Sequence, residues 1–299
     1  FKQKTAYEIR LSLVGSEMCI RDRLYRGRCV VAIHSLNEAQ SGTHPWWYHL
    51  TYSLMYRLGA RKAHTIIVPS ESTRQDVIRL YNVPPSKIVI IPQGADDSFR
   101  PLDDPEQKRK TRVQFVGSDR PYLLFVGKLS QRRNIPLLLS AFSLLKQREN
   151  IPHALLLVGP NHLHLPIDNL ARELGIADSV IQTDGKFADH QALISIYNAA
   201  DVYVNPSLYE GFSMTLVEAL ACGLPVVVSN RAALAEIADG CGMMIDDITP
   251  EAFADAIHRV LTDSALNQRL RLQSIERSHA YRWQGFAAQT LDVLRQAAK

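Results

Sequence analysis

Two glutamates, Glu210 and Glu218, are separated by seven residues in a segment that also contains glycine, serine and threonine. An apolar run ends at Val204 before this segment, and a helical pattern begins near Ser213–Met214 and stops at Gly223. The free N–H groups of a helix N-terminus favour an anion, for which a diphosphate is the natural candidate. A carboxylate about one turn inside that helix can accept two hydrogen bonds from a ribose diol. The spacing therefore predicts a binding site for a diphosphate ligand that carries hydroxyl groups.

The two glutamates are expected to have different roles in this site. Glu218 would bind the ribose, whereas Glu210, before the helix, would accept hydrogen bonds from sugar hydroxyls and balance positive charge at an anomeric carbon. Two isolated glutamates are more often a turn residue and a solvated helix residue, but the flanking apolar strands favour a built site. The predicted ligand-binding residues of the segment are Gly211, Phe212, Ser213, Met214, Thr215 and Glu218, with Glu210 as a catalytic carboxylate.

A second cluster with chemical potential is the basic loop, residues Gly127–Asn134, which follows the apolar run Tyr122–Val126. Cationic side chains between a strand and a helix can neutralise a departing diphosphate, so Lys128 and Arg133 are candidates for that role, with Gly127 beside them. A solvated basic surface loop is the alternative, and the loop alone would favour it.

The elements that must position these residues alternate between short apolar runs and amphipathic stretches, which is typical of α/β proteins with doubly wound parallel sheets. The predicted strands are Arg28–His34, Thr65–Val68, Lys87–Ile91, Tyr122–Val126, Ala154–Val158, Val180–Thr183, Asp201–Val204, Pro225–Ser229 and Gly242–Ile245. The predicted helices open at Ser72 and at Asn134, or span His190–Ala199, Met214–Ala221, Pro250–Leu261 and Trp283–Ala297. Trp283, Phe286, Leu291 and Leu294 are expected on one face of the last helix.

Composition excludes several classes of function. The chain has 34 basic and 30 acidic residues and a formal net charge of +4, too small to indicate nucleic-acid binding. Its four cysteines form no CxxC pair, so we expect a reduced, cytoplasmic chain without a metal site. The sequence has no GxSxG, Walker A or HExxH motif, and it lacks the GxGxxG of a dinucleotide dehydrogenase.

The segment PSLYEGFSMTLVEALACGLPVVVS resembles the Glu-x7-Glu signature of the family-4 (group 1) glycosyltransferases, with Glu210 and Glu218 at the two glutamate positions. Ser213 stands where the family usually has glycine and keeps a small residue there. In the basic loop, Lys128 and Arg133 match the family's two basic positions with residue types exchanged. Since lysine and arginine differ in geometry, the individual phosphate contacts stay open.

Two further matches extend the resemblance outside the donor segment. Asp184–Phe187 is similar to the family loop that lines the base pocket, where Phe187 would pack either on the base or in the core. His34 ends a strand similar to the family's Ile-His-Asp strand, which implies a contact with the transferred sugar, although Ser35 replaces the aspartate. The aromatic stretch Trp46–Lys62 favours a core helix over one that contacts an acceptor or a membrane.

The resemblance implies a GT-B fold of two Rossmann-like domains, the first one incomplete, and a metal-independent transfer that retains anomeric configuration. The donor would be a nucleotide-diphosphate sugar, and the acceptor a glycan, a lipid or a small molecule. No cofactor or nucleic-acid partner is expected, and peripheral contact with the inner face of a membrane stays open. The predicted divisions are a partial first domain (24–100), a linker (101–118), a nucleotide-sugar-binding domain (119–282) and a helix crossing back to the first domain (283–299).

Residues 1–23 are interpreted as non-native, because Leu13–Arg23 is similar to the translation of a transposon-end sequencing adapter. Two other functions remain open at this stage. One is a nucleotide-sugar-binding fragment without transferase activity, since the first domain looks short. The other is a GT-B epimerase or phosphorylase.

Overall fold

A computed structural model describes residues 13–14, 28–36, 54–183 and 190–299 of the chain. These residues form two compact units. Unit 1 contains the described residues up to Gly94, together with Glu210–Phe212 and Tyr281–Lys299, and unit 2 contains Ala95–Tyr209 and Ser213–Ala280. The loop Glu210–Phe212 thus groups with unit 1, although it connects two elements of unit 2 along the chain.

The strands of the described residues form one parallel sheet in each unit. In chain order they are β1 (Leu13–Val14), β2 (Val30–Ala32), β3 (Thr65–Val68), β4 (Ile88–Ile90), β5 (Tyr122–Val126), β6 (Ala154–Val158), β7 (Val180–Gln182), β8 (Val202–Asn205), β9 (Val226–Ser229) and β10 (Met243–Ile245). The sheet of unit 1 has the order β1-β2-β3-β4, and that of unit 2 has the order β10-β9-β8-β5-β6-β7.

The helices of the described residues lie between these strands and at the end of the chain. They are α1 (Leu54–Lys62), α2 (Glu71–Tyr81), α3 (Pro105–Val116), α4 (Ile135–Glu149), α5 (Ile167–Glu173), α6 (His190–Ala199), α7 (Met214–Ala221), α8 (Ala232–Ala238), α9 (Pro250–Thr262), α10 (Ser264–Ser278) and α11 (Trp283–Ala298). None of these helices is both long and apolar enough to cross a membrane.

The core of unit 2 explains why its strands read as continuous apolar runs. Every residue of β5 and β6 is buried, because α4 packs on the sheet with Leu138, Leu139 and Phe142 and α9 packs with Phe253 and Ile257. A strand buried on both faces needs apolar residues at successive positions rather than alternate ones. The predicted α/β fold with parallel sheets is confirmed.

Residues 101–118, predicted as a linker, mostly form helix α3. Asp104 caps its N-terminus by accepting a hydrogen bond from the Gln107 N–H, and Gly117 ends it with a left-handed φ of 78°. The helix gives no apolar periodicity in the sequence, because its buried residues are only Thr111 and Val116. The polar, charged sequence of α3 therefore does not predict a helix from apolar periodicity, although Asp104 and Gly117 are clear signals for its start and end.

Two other helices differ from the sequence-based expectations, one in its N-terminal cap and the other in its buried face. Helix α2 is capped by Ser70, whose hydroxyl accepts from the Thr73 N–H, two residues before the predicted cap at Ser72. In unit 1, helix α11 buries Val293 and Ala297 against Val30 and its neighbours in the sheet. Trp283 and Leu291, expected on that face, are instead 39% and 46% exposed, because the buried face is rotated around the helix.

Candidate functional site

The order of the strands in unit 2 reverses between β5 and β8. From β5 the chain continues through β6 to β7 on one side, whereas β8, β9 and β10 lie on the other side. The crevice beyond the carboxyl ends of two such strands is the usual ligand site of open parallel sheets. The basic loop follows β5, and the segment leading to α7 follows β8. Both sequence motifs of unit 2 therefore begin at the switch point of its sheet.

The two loops are hydrogen-bonded to each other within unit 2. The Leu208 N–H donates to the Arg132 carbonyl oxygen at 3.0 Å, and the Arg132 guanidinium donates to the Tyr209 carbonyl oxygen. Arg132 thus ties the loops together. This role explains why Arg132 is half-buried whereas Lys128, in the same loop, is exposed.

A pair of glycines shapes the basic loop. Gly127 has a φ of 145° and its N–H donates to the Val158 carbonyl oxygen at 2.8 Å. A Cβ on Gly159, whose φ is 147°, would lie 2.1 Å from the Gly127 carbonyl oxygen. A Cβ on Gly127 itself would lie 3.5 Å from the guanidinium carbon of Arg133. The absence of a side chain at Gly159 lets its backbone approach Gly127, whereas at Gly127 the left-handed φ, rather than lack of space, favours glycine.

Arg133 carries a positive charge into a largely buried place. Burial, and next the charge of Arg132, lower the pKa of Arg133 to about 10. The guanidinium therefore stays charged at neutral pH, and the phenol groups of Tyr203 and Tyr197 lie within reach of its charge. A fixed cation of this kind can stabilise an anionic group that approaches it with little reorganisation.

Helix α7 begins at Met214 with Ser213 as its N-cap residue, and no side-chain hydrogen bond caps it. Ser213 is buried, and its hydroxyl lies 3.4 Å from the hydroxyl of Thr215. The N–H groups of the first turn lack partners within the helix, so they can donate to an anion, aided by the helix dipole.

Glu218 lies one turn inside α7, in contact with buried phenols. Its Oε2 accepts a hydrogen bond from the Tyr197 hydroxyl at 2.8 Å. Burial raises the pKa of Glu218 to about 7, and the Tyr197 hydrogen bond opposes that increase. Behind it, the Tyr203 hydroxyl lies 2.9 Å from the Thr215 hydroxyl and accepts from the Asn205 amide at 3.1 Å. A buried polar network from β8 therefore supports the N-terminal turn of α7.

Unit 1 brings together a second group of predicted residues. Gly211 lies so close to His34 that a Cβ on the glycine would be 2.5 Å from the His34 carbonyl oxygen. The hydroxyls of Ser70 and Thr73 donate to the Gly211 carbonyl oxygen at 2.7 and 2.9 Å. These contacts fix the backbone between Glu210, which is buried, and Phe212, whose ring lies 5.9 Å from that of Tyr281.

The His34 imidazole is held at one nitrogen. Its Nδ1 lies 3.0 Å from the Gln93 side-chain amide, and burial lowers its pKa. A lowered pKa keeps the ring neutral at pH 7, so it can donate or accept a hydrogen bond without adding charge. The predicted residue Phe187 and its loop Asp184–Phe187 lie outside the described residues, as does the first part of the stretch Trp46–Lys62, whose remainder forms α1.

Sequence reasoning missed three residues of this region: Tyr197, Tyr203 and Gly159. The two tyrosines fall within correctly predicted elements, but nothing in their local sequence indicates that their hydroxyls face α7. Gly159 follows a predicted strand, and its position after β6 was a usable signal for a close backbone approach. Among the described residues, no group of three or more His, Cys, Asp or Glu side chains could hold a metal ion.

The chain matches two family models. Residues 106–277 match the glycosyl transferases group 1, and residues 12–99 match glycosyltransferase family 4. The chain therefore belongs to the group 1 glycosyltransferase family, as the sequence analysis predicts. The second match begins within the segment interpreted as an adapter, where β1 also pairs with β2. The interpretation of residues 1–23 as foreign stays a prediction for the underlying DNA to decide.

Curated relatives carry a range of transferase names. The chain is 28% identical over 236 residues to O-antigen chain mannosyltransferase B of Escherichia coli, covering 78% of this chain and 61% of that protein. It is 33% identical over 248 residues to D-inositol 3-phosphate glycosyltransferase 2 of Catenulispora acidiphila, covering 77% of this chain and 56% of that protein. The chain thus spans about three fifths of the length of the curated relatives it matches.

Solved structures place the fold among the GT-B glycosyltransferases. Sucrose-phosphate synthase from Thermosynechococcus elongatus is 27% identical with a TM-score of 0.76, over 92% of this chain and 69% of that one. Anabaena Alr3699/HepE in complex with UDP-glucose has a TM-score of 0.78 at 17% identity, over 90% of this chain and 72% of that one. The second likeness shows the fold alone. The predicted GT-B fold is confirmed.

Proposed function

We propose that this chain transfers a sugar from a nucleotide-diphosphate sugar to an acceptor, with retention of anomeric configuration. The observation that carries the proposal is the convergence of three features at the switch point of unit 2. They are the buried cation Arg133, the uncapped N-terminus of α7 and the carboxyl group of Glu218. A nucleoside diphosphate has one group that suits each feature: two phosphates and a ribose diol.

The diphosphate is the leaving group, and its negative charge grows during the reaction. Arg133 and the N–H groups at Ser213–Thr215 stabilise that charge, with Lys128 adding a solvent-exposed cation. Gly127 lies directly beside the Arg133 guanidinium and adopts a φ of 145° that other residues rarely adopt. Because arginine and the helix dipole supply positive charge, the transfer requires no divalent ion, and activity should persist in EDTA.

The sugar end of the donor is assigned to Glu210 and His34, with Gly211 and Phe212 shaping the loop between them. A carboxylate at Glu210 stabilises positive charge at the anomeric carbon, and the neutral imidazole of His34 exchanges hydrogen bonds with sugar hydroxyls. Glu218 is assigned to accept hydrogen bonds from the ribose. Met214 and Thr215, in the first turn of α7, are assigned to the phosphates. Phe187 is assigned to the base.

A titration with nucleotide sugars tests the donor site directly. Thermal-shift and calorimetric measurements would use UDP-glucose, GDP-mannose and ADP-glucose on the wild type, on Glu218→Ala and on Glu173→Ala. Glu173 is an exposed glutamate of the same unit and serves as the matched control. We expect one donor to bind, with about tenfold or greater weakening in Glu218→Ala and no change in Glu173→Ala. Binding of none of the donors would overturn the proposal.

A turnover assay separates the proposal from its alternatives. Transfer to an added acceptor, with the anomeric configuration of the product read by NMR, supports a retaining transferase. The names of the relatives suggest glycan and inositol phosphate acceptors for the first screen. Binding without turnover supports a nucleotide-sugar-binding chain that lacks transferase activity. Release of nucleoside diphosphate and free sugar without an acceptor supports a sugar-nucleotide epimerase.

A further inference from the structure

A buried tyrosine of unit 2 contacts the carboxyl group assigned to the ribose. Tyr197, in α6, is fully buried, and its hydroxyl lies 2.8 Å from Glu218 Oε2 and 3.1 Å from the Thr215 carbonyl oxygen. The ring cannot easily move, because it packs against the rings of Phe99 at 5.8 Å and Tyr203 at 6.3 Å. The Tyr197 hydroxyl is therefore a fixed group beside the Glu218 side chain, which could otherwise adopt several rotamers.

The hydroxyl carries one proton and has two acceptors within reach, so the bond it makes depends on the state of Glu218. When Glu218 is ionised, Tyr197 donates to Oε2, and Oε1 keeps its lone pairs for another donor. When Glu218 is protonated, its own O–H can donate to Tyr197, whose proton then goes to the Thr215 carbonyl. Both states are hydrogen-bonded, but only the ionised state presents an acceptor-only carboxylate.

We propose that Tyr197 is the positioning residue of the donor site: its hydroxyl holds Glu218 Oε2 so that the other carboxylate oxygen accepts from the ribose hydroxyls. This inference rests on the proposed function of Glu218. Tyr197 itself does not contact the nucleotide, and it acts only through the carboxylate. It also selects against a 2′-deoxyribose, because the carboxylate held in this way needs hydroxyl partners.

The surroundings of Glu218 predict how pH affects this arrangement. The titratable groups that face it are Tyr197 from α6, Tyr203 from β8 and Cys222 at the end of α7. The Arg133 charge interacts in turn with the two phenols. Burial raises the pKa of Glu218 to about 7 and the Tyr197 hydrogen bond lowers it. Removing the hydroxyl should therefore raise this pKa further. As pH falls and Glu218 takes up a proton, ribonucleotide binding would then begin to weaken at a higher pH than in the wild type.

The test compares Tyr197→Phe with Tyr122→Phe. Tyr122 is also fully buried in unit 2 and donates its hydroxyl to the carbonyl oxygen of Ile196, beside Tyr197 in α6, so its loss is matched in kind and place but removes no hydrogen bond to Glu218. Calorimetry would use the tightest-binding of UDP-glucose, GDP-mannose and ADP-glucose, and the 2′-deoxy form of the same compound. We expect Tyr197→Phe to bind the ribonucleotide about tenfold more weakly, and Tyr122→Phe to bind as the wild type does.

Three further readouts distinguish positioning from a general structural role. The loss in Tyr197→Phe should be smaller for the 2′-deoxy compound, and it should vanish in the Glu218→Ala background. The pH midpoint of binding should move upward. Equal losses for both compounds, or an undiminished loss in the Glu218→Ala background, would overturn the inference while leaving the donor site intact. A wild type that binds no nucleotide sugar, by contrast, overturns the proposed function and this inference together.

Discussion

The loops that follow β5 and β8 lie side by side at the switch point of one sheet, but they are built in different ways. The basic loop is shaped by close backbone packing: Gly159 approaches the Gly127 carbonyl too closely for a side chain, and the Arg133 guanidinium lies beside Gly127. The segment after β8 relies on hydrogen bonds from other elements, because Tyr197 and Tyr203 reach α7 from α6 and β8. One side therefore depends on backbone shape and the other on buried polar partners.

This difference teaches that similar burial disfavours both charged forms but changes the ionisation of only one group at neutral pH. Burial lowers the pKa of Arg133 only to about 10, so the cation remains charged at pH 7. Burial raises the pKa of Glu218 to about 7, so the carboxyl group titrates in the physiological range. An arginine can be buried at little risk to its charge, whereas a glutamate needs a donor such as Tyr197 to stay ionised.

The largest expected effect tests the close packing of the basic loop. In Gly159→Ala, the new Cβ would lie 2.1 Å from the Gly127 carbonyl oxygen, so the backbone at one or both positions would have to shift. We expect about 3 kcal/mol of lost unfolding free energy, measured by chemical denaturation. Gly175→Ala is the matched control: its φ is 69° and nothing lies within 4 Å of its Cβ, so about 1 kcal/mol should be lost. Equal losses in the two variants would contradict the proposed packing.

The next effect concerns the cation that this packing presents. Arg133→Ala should weaken nucleotide-sugar binding by about 100-fold, because a fixed, largely buried guanidinium bonds strongly to phosphate. The measurement is calorimetry with the donor that the wild type binds. Arg231→Ala, an exposed arginine after β9 in the same unit, should bind as the wild type does. A larger loss in Arg231→Ala than in Arg133→Ala would break the comparison between the loops.

The carboxyl side is tested through the pH dependence of stability. Because the folded pKa of Glu218 is about 7 and its ordinary value is 4.5, the folded state holds the proton more tightly than the unfolded state. Stability therefore falls as pH rises from 4.5 to 7, and the full cost remains above pH 7. Glu218→Gln removes this cost. At pH 6, between the two pKa values, we expect it to be about 2 kcal/mol more stable than the wild type, since each pH unit above 4.5 in this range corresponds to about 1.4 kcal/mol.

The stability difference between Glu218→Gln and the wild type should disappear near pH 3, well below the ordinary pKa of 4.5, where the carboxyl group is protonated in both states. Thermal denaturation across this pH range would measure it. A glutamine variant that is less stable than the wild type at pH 8 would mean that the carboxylate is well solvated or compensated, and that the buried acid side of the comparison is wrong.

The smallest effect sharpens the contrast within the basic loop itself. Lys128 is exposed, whereas Arg133 is largely buried, so water and salt screen the lysine charge. Lys128→Ala should weaken donor binding only about threefold at 0.15 M salt, and the difference should shrink further at 0.5 M. Calorimetry at the two salt concentrations checks this expectation. A loss comparable to that of Arg133→Ala would place the main phosphate contact on Lys128.

Much of the fold follows from local sequence signals. Helices α6 (His190–Ala199) and α7 (Met214–Ala221) have the predicted bounds. Their apolar periodicity is local in the sequence, and Gly223 lies just after the end of α7. Helix α3 was missed because its sequence is charged and its buried surface is small, although Asp104 and Gly117 marked its ends. Helices α5 and α8 were also missed, since no side chain caps their N-termini, and α10 was missed although the Asp263 side chain caps it by accepting from the Leu266 N–H.

The sequence alone determined the order of strand, loop and helix around Glu210 and Glu218. The apolar run of the strand, the start of the helix and the glycine that ends it are all signals from residues close together in the chain. Only the tertiary structure decided what surrounds Glu218. The Tyr197 hydroxyl is 21 positions away in the chain and reaches the carboxylate because α6 and α7 belong to the same folded unit. Likewise, Gly159 matters because parallel pairing of β5 with β6 brings its backbone onto Gly127. Local patterns specify elements, whereas the partners that set a pKa or fix a backbone come from contacts that no local pattern records.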